Sequence, residues 1–280
     1  MNAPIGIFDS GYGGLTIFEK IRKQLPGYDY VYLGDNARTP YGNRSFEVVY
    51  EFTLQAVKWL FNQNCHLVVI ACNTASAKAL RTIQQKDLPQ LDSQRRVLGV
   101  IRPTVECIGQ VTQTRHVGVL GTPGTITSGS YTLEIHKLFP DIFVESEACP
   151  MWVPLVENNE HDKAGADYFI RQHLDNILTR DSDIDTIILA CTHYPLLEKK
   201  IRSFLPESIS LVSQGSLVAE SLKDYLYRHP EIADRCSKNA TCRFYTTESQ
   251  EKFATMASLF LKEKINAERI NLENSENYLY

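Results

Sequence analysis

Apolar positions in this chain gather into short runs separated by stretches of helical periodicity, and each run stops at a small or polar residue. Residues 5–8 form such a run and lead into Asp9-Ser10-Gly11-Tyr12-Gly13-Gly14, after which Leu15, Phe18, Ile21 and Leu25 keep a helical spacing. The pattern predicts strand, tight glycine turn and helix. A second run, residues 30–33, stops at Gly34-Asp35 and opens into the loop of residues 36–42. Val49, Phe52, Ala56, Trp59 and Leu60 then share one helical face. That helix delivers the chain to residues 67–71, a run that is apolar throughout and β-branched at its centre, as a strand covered on both faces would be. It ends at Cys72-Asn73-Thr74, and a helix is predicted over residues 75–83. This alternation implies a parallel sheet with helices on both faces.

The same programme restarts about 112 residues later. Residues 117–122 (VGVLGT) align with residues 5–10 (IGIFDS), each an apolar strand with Gly in second place. Further on, a helix carrying Phe169, Ile170, Leu174, Ile177 and Leu178 feeds a strand over residues 186–190, which ends at Cys191-Thr192-His193. The stretch IILACTH at 187–193 matches VVIACNT at 68–74. A period above about 100 residues is too long for a solenoid and fits two similar α/β domains. The expected architecture is two such domains with mainly parallel sheets, related by a pseudo-two-fold axis, with the active site in the interdomain cleft. The segment from about Leu211 has no third partner; it reads as helix, strand over 242–245 and helix over 251–261. It is therefore expected to cross back, giving a discontinuous first domain of residues 1–98 and 210–280 and a second of residues 99–209. A length of 280 residues agrees with about two domains.

Composition narrows the classes. With 43% hydrophobic and 22% charged residues the chain is that of a globular protein, and 29 Lys+Arg against 33 Asp+Glu leave a charge of −4. That balance makes nucleic acid a poor default partner. No apolar run approaches the ~18 residues of a membrane span, and the opening MNAPIGIF lacks the features of a signal peptide, so a cytoplasmic protein is expected. Seven cysteines, an odd number with no C-x-x-C pair, read as free thiols rather than a disulfide framework, zinc ribbon or thioredoxin motif. Cys65, Cys107, Cys149, Cys236 and Cys242 lack a strand-end context and are read as packing residues. The turn at residues 11–14 is neither G-x-G-x-x-G nor a P-loop, which argues against a nucleotide. His193 beside Cys191 is not a recurring zinc pattern, and His161, His173 and His229 are expected to be solvated.

Cys72 and Cys191 stand apart. Each lies at the carboxyl end of a strand, where open parallel sheets bind ligands, and just before a helix whose N-terminus can stabilise a thiolate or hold a carboxylate. Singly, each would be read as a core cysteine; their matching places in a duplicate reverse that. Two opposed thiols can remove a proton from one face of a carbon and return it on the other, which is what racemisation needs. Asn73, Thr74 and Thr192, with their backbone amides, are placed to stabilise the carbanion-like state through its carboxylate. Asp9 and His193 are candidates for tuning the thiols, one near each, although Asp9 alone also reads as a helix N-cap.

The segments at 5–15 (IGIFDSGYGGL), 34–42 (GDNARTPYG), 71–75 (ACNTA), 118–131 (GVLGTPGTITSGSY), 153–157 (VPLVE) and 190–196 (ACTHYPL) resemble those of the glutamate racemases, which are cofactor-independent two-cysteine amino-acid racemases. The resemblance implies interconversion of L- and D-glutamate for bacterial peptidoglycan synthesis, with neither pyridoxal phosphate nor metal. It implies Cys72 and Cys191 as proton donor/acceptors. Asp9-Ser10, Tyr41-Gly42, Asn73-Thr74 and Thr192-His193 would contact the substrate, and Glu157 would be a further acidic site residue. It also implies a homodimer. Some members are thought to bind gyrase, a role that the charge neither supports nor opposes. Where members often carry Glu-Pro-Gly, this chain has Arg102-Pro103-Thr104, a change expected to bear on interdomain or interface electrostatics and not on the two-thiol logic. It begins almost at its first strand, so activation by a cell-wall precursor through an N-terminal extension is not expected. Aspartate racemases share the two-thiol plan. A binding module of the same fold would show a degraded site, and the intact cysteine pair argues against it.

Overall fold

Two runs of alternating strand and helix fold into two parallel sheets, seen here in a computed structural model described for residues 3–272, with Leu259 described by its backbone alone. Residues 1–2 and 273–280 of the predicted first domain lie outside the described residues. The strands are β1 (Ile5–Asp9), β2 (Tyr30–Gly34), β3 (Leu67–Ile70), β4 (Arg96–Gly99), β5 (His116–Gly121), β6 (Phe143–Ala148), β7 (Thr186–Ala190), β8 (Ser210–Val212), β9 (Cys242–Thr246) and β10 (Ala267–Arg269). One sheet has the order β10-β9-β2-β1-β3-β4 and the other β6-β5-β7-β8, with every pairing parallel.

The duplication read from the sequence is visible in these orders. The first four strands lie as second, first, third, fourth, and β5–β8 repeat that arrangement. Register agrees: Gly6 of β1 faces Val68 of β3, and Gly118 of β5 faces Ile187 of β7. Four residues beyond those partners the chain reaches Cys72 and Cys191. Both glycines are there for space. A Cβ on Gly6 would sit 3.2 Å from Cys65 Sγ and Val68 Cγ2, and one on Gly118 would sit 3.1 Å from Ile177 Cδ1.

Every residue of β1, β2, β3 and β7 is buried, because helices cover both faces of the central strands. On one side of the first sheet, Leu15, Phe18 and Ile21 of the helix Gly14–Gln24 pack with Val218, Leu222 and Leu226 of the helix Gln214–Arg228. On the other, Val49, Ala56 and Leu60 of the helix Phe46–Asn62 meet Phe8, Leu33 and Ile70. Ser45 caps that helix by accepting from Val48 N. The second sheet is covered by the helix Ala164–Arg180, through Ile170, Leu174 and Ile177, and on its other face by Tyr131 and Ile135.

The chain returns to the first sheet near its end, since β9 pairs with β2 and β10 with β9. The second sheet continues three residues past position 209, through β8, and the first includes Gly99. Two local expectations are corrected. The helix predicted over 75–83 is instead a helix at Asn73–Lys78, a turn at Leu80–Thr82, a π turn at Ile83–Asp87 and a further turn at Leu88–Leu91. Pro89 lies in that last turn and cannot continue a regular hydrogen-bond ladder. His173 is buried rather than solvated: its Nδ1 is 2.7 Å from Glu147 Oε1 and its ring meets Trp152 edge-on. His161 is also mostly covered.

Candidate active site

The carboxyl ends of β1, β3, β5 and β7 converge on a cleft between the sheets. Ser10, Tyr41, Gly42, Cys72, Asn73, Thr74, Cys191, Thr192 and His193 line a cavity of about 60 Å³ there, with Thr39, Thr122 and Val153. Nine of the residues predicted from sequence are thus brought together. The other two, Asp9 and Glu157, stand behind this wall, against the turn after β1 and behind His193.

Cys72 is the N-cap of the helix Asn73–Lys78; its sulfur accepts from Ala75 N at 3.4 Å and lies 3.2 Å from Ser10 Oγ. Burial pushes its thiol up to about 12, and the nearby Asp9 carboxylate adds to that, while the contacts from Ser10 and Ala75 oppose it. Asp9 is itself raised above the usual carboxylate range, chiefly by burial, against the pull of His193 and the backbone N–H groups of Gly14 and Gly11. Its Oδ2 accepts from Gly11 N at 2.9 Å, so the carboxyl also braces the turn.

Cys191 has a different neighbour. His193 Nδ1 lies 3.9 Å from its sulfur, and Nε2 lies 3.1 Å from Glu157 Oε1. Burial alone would depress the imidazole, but Cys191 and Glu157 outweigh it and raise His193 to about 10. An imidazolium at neutral pH therefore sits beside the second sulfur, where it stabilises negative charge.

Tyr41 lines the cleft without offering it a free hydroxyl. Its hydroxyl is committed to the buried Asp35 carboxylate, which also receives Arg38 Nε and Thr247 Oγ1. Tyr41 and Gly42 consequently offer the cleft main chain. Gly42 O accepts from Gly124 N at 2.7 Å, a backbone bond between the loop after β2 and the segment after β5, and a Cβ on Gly42 would come within 2.9 Å of Thr122 Cβ. The glycine turn at residues 11–14 also has a steric reason. A Cβ on Gly13 would lie 2.3 Å from Thr192 Oγ1 and 2.5 Å from His193 Nδ1. The second half presses its site residues into that turn.

Thr122 was not singled out from the sequence. Its hydroxyl is 2.9 Å from that of Thr74 and 3.0 Å from that of Thr125, and the signal for it was present, because Thr122 aligns with Ser10 in the duplicate. Arg102 pairs with Glu106 at 2.9 Å and with Glu134 at 3.5 Å, on the surface rather than in the cleft. The five remaining cysteines are free; Cys65, Cys149 and Cys236 are buried and Cys107 and Cys242 partly so. Among the described residues no helix is long and apolar enough to cross a membrane.

The sequence matches the Asp/Glu/Hydantoin racemase family over residues 5–222. It is 42% identical over 262 residues to a glutamate racemase from Shouchella clausii, covering 93% of this chain and 91% of that one. The fold is similar to that of the glutamate racemase isoform RacE1 from Bacillus anthracis, with a TM-score of 0.87, 37% identity, and 96% and 98% of the two chains covered. A glutamate racemase from Francisella tularensis, solved with D-glutamate, has a TM-score of 0.86 at 33% identity, covering 97% of this chain and 98% of that one. A strand order repeated in both halves, a thiol at the end of the third strand of each, and similarity along nearly the whole chain lead to one conclusion: the chain belongs to the Asp/Glu/Hydantoin racemase family.

Proposed function

We propose that this protein interconverts L- and D-glutamate by a two-thiol, cofactor-independent reaction, with Cys72 and Cys191 as the acid/base pair, and so supplies D-glutamate for peptidoglycan. The observation that carries the reading is the single cleft lined by both thiols, each from an equivalent strand end. The glutamate racemases among its relatives, one solved with D-glutamate, favour glutamate as substrate.

In this reading Cys72 enters as the thiol, because burial and Asp9 disfavour its anion, and Cys191, beside the His193 imidazolium, acts as the base. The thiolate takes the α-proton, the C–H electron pair passes into the substrate carboxylate, and the opposite thiol delivers its proton to the other face. Donors at Asn73, Thr74 and Thr192 stabilise the carboxylate as charge builds up on it. Ser10 and the main chain at Tyr41-Gly42 bind the rest of the substrate, and Glu157 holds His193. Turnover leaves Cys72 ionised beside Asp9. The two sheets act as the cores of two domains that meet near residues 99 and 212, each three residues or fewer from the bounds read from the sequence, in a cytoplasmic homodimer; scattering with and without glutamate tests both domain closure and assembly.

The deciding experiment incubates the metal-free, pyridoxal-free protein in deuterium oxide with each enantiomer of glutamate, and with L-aspartate in parallel. Deuterium entering the α-position from both glutamate enantiomers supports the reading. Exchange of aspartate instead reassigns the substrate, and binding of glutamate without exchange leaves a binding protein.

A further inference from the structure

Behind the Cys72 wall of the cleft, four buried polar side chains from separate parts of the chain form a closed hydrogen-bonded group. Asn73 Nδ2 donates to Gln214 Oε1 at 2.6 Å, Gln214 Nε2 donates to the Tyr131 hydroxyl at 2.6 Å, and Tyr131 donates to Asn73 Oδ1 at 2.6 Å. Gln214 Nε2 also donates to Thr104 Oγ1 at 2.8 Å. Asn73 follows the first thiol, and Tyr131 lies on a helix of the second half. Thr104 lies on the helix that leaves the first sheet after β4, and Gln214 opens the helix that returns from β8. The group therefore sits where both covalent connections pass between the sheets.

A three-membered ring of two amides and a hydroxyl can run in either sense, with both amides flipped. Thr104 removes that choice. Its own hydrogen is given to Val100 O at 2.7 Å, so toward Gln214 it can only accept. The Gln214 atom facing both Thr104 and Tyr131 must then be the nitrogen, and the oxygen must face Asn73. It follows that Asn73 presents nitrogen to Gln214 and oxygen to Tyr131. Both of those contacts are spent inside the protein; the second Nδ2 hydrogen has no partner among the described residues, and Asn73 is one of the residues that line the cleft.

We propose that Gln214, Tyr131 and Thr104 are positioning residues for the racemisation site: they fix the sense of the Asn73 amide so that it offers a donor, not an acceptor, to the substrate carboxylate. This rests on the glutamate racemase reading of the cleft. A reversed amide would place an acceptor near a carboxylate that is already charged in the bound substrate, so the larger effect falls on binding and a smaller one on kcat. It also ties the donor to both inter-sheet connections, so the amide is held correctly only when the two halves are correctly set.

The test compares KM and kcat for both enantiomers in the wild type and in Gln214→Met, Tyr131→Phe, Thr104→Val and Thr104→Ser. Gln214→Met keeps the length and removes the amide; it should raise KM about tenfold, as expected for a lost hydrogen bond to a charged group. Tyr131→Phe should raise it about fivefold. Thr104→Val leaves the ring intact but frees its sense; with half of the molecules misoriented, KM should rise about twofold, and Thr104→Ser should restore it. Thr112→Val, which removes a hydroxyl bonded to Asp185 at 2.7 Å, is the structural control and should leave KM unchanged. Wild-type KM in Gln214→Met and Tyr131→Phe, in an enzyme that racemises glutamate, overturns the assignment, as does an equal change in Thr112→Val. If Gln214→Met does not fold, Tyr131→Phe and the Thr104 pair decide. A wild type that neither racemises nor exchanges glutamate overturns the functional reading, and this inference with it.

Discussion

The two sides of the cleft share a backbone plan and differ in electrostatics. Cys72 and Cys191 each follow the third strand of a run ordered second, first, third, fourth, and each third strand pairs with a first strand through a glycine, Gly6 or Gly118. Around Cys72 stand a hydroxyl, a backbone N–H and a buried carboxyl; beside Cys191 stands an imidazole braced by Glu157. Duplication thus fixes where the sulfurs lie, and a few unmatched neighbours give each its own electrostatic surroundings. A strictly symmetrical site would hold both thiols in the same state, and a two-base reaction needs them opposite.

The comparison can be broken most severely at the sulfurs. Cys72→Ala and Cys191→Ala should each lower racemisation by about 10³-fold or more, the scale of a lost general acid or base, measured by polarimetry or coupled assay. Cys107→Ala and Cys236→Ala should leave the rate close to wild type. The next effect belongs to the unmatched histidine. His193→Gln should lower kcat by about 10–100-fold and abolish an alkaline fall in rate near pH 10. The stability sign follows from the same shift. Because the folded imidazole titrates at about 10 against an ordinary value of 6.5, its stabilisation is fully present below pH 6.5 and is lost as pH rises through about 10. Urea denaturation of wild type and His193→Gln at pH 6 and pH 10.5 should show the two converge at the higher value.

Asp9→Asn tests the opposite side and should cost less, about tenfold in kcat. The raised Asp9 carboxyl takes up a proton on folding, so it stabilises the protein at acid pH and that contribution is lost as pH rises through its folded value. At pH 8 the asparagine variant should be at least as stable as wild type, which separates a catalytic loss from unfolding. The smallest effect sharpens the symmetry itself. Gly6→Ala and Gly118→Ala each force a Cβ to within about 3.2 Å of packed neighbours and should destabilise the protein by a similar amount, about 1–2 kcal/mol, with little change in KM. Unequal values in thermal melts would show that the two cores tolerate strain differently.

What was legible in the sequence was whatever depends on neighbours along the chain. Apolar runs at 5–8, 67–71 and 186–190 are buried strands because their side chains have nowhere polar to face, and their endings place Cys72 and Cys191 at strand tips. The strand over 242–245 was legible too, but its place beside β2 needed the fold. His173 shows the limit: its own segment reads as a charged helix, and only Glu147 and Trp152, from distant segments, bury it. The helix of residues 75–83 was overextended for a related reason, since good helix formers were overruled by the path to β4.

By itself, then, the sequence determined the duplicated α/β plan, the pair of thiols and most of the residues around them, because strand ends and repeats are local patterns. Tertiary structure alone decided the rest. It turned the Tyr41 hydroxyl away to Asp35, brought Thr122 against Thr74, set His193 between Cys191 and Glu157, and closed Asn73, Tyr131 and Gln214 into a ring whose sense Thr104 fixes. Those contacts join residues far apart in the chain. Their hydrogen-bond directions follow from what each buried group meets in space, and no spacing along the chain encodes that.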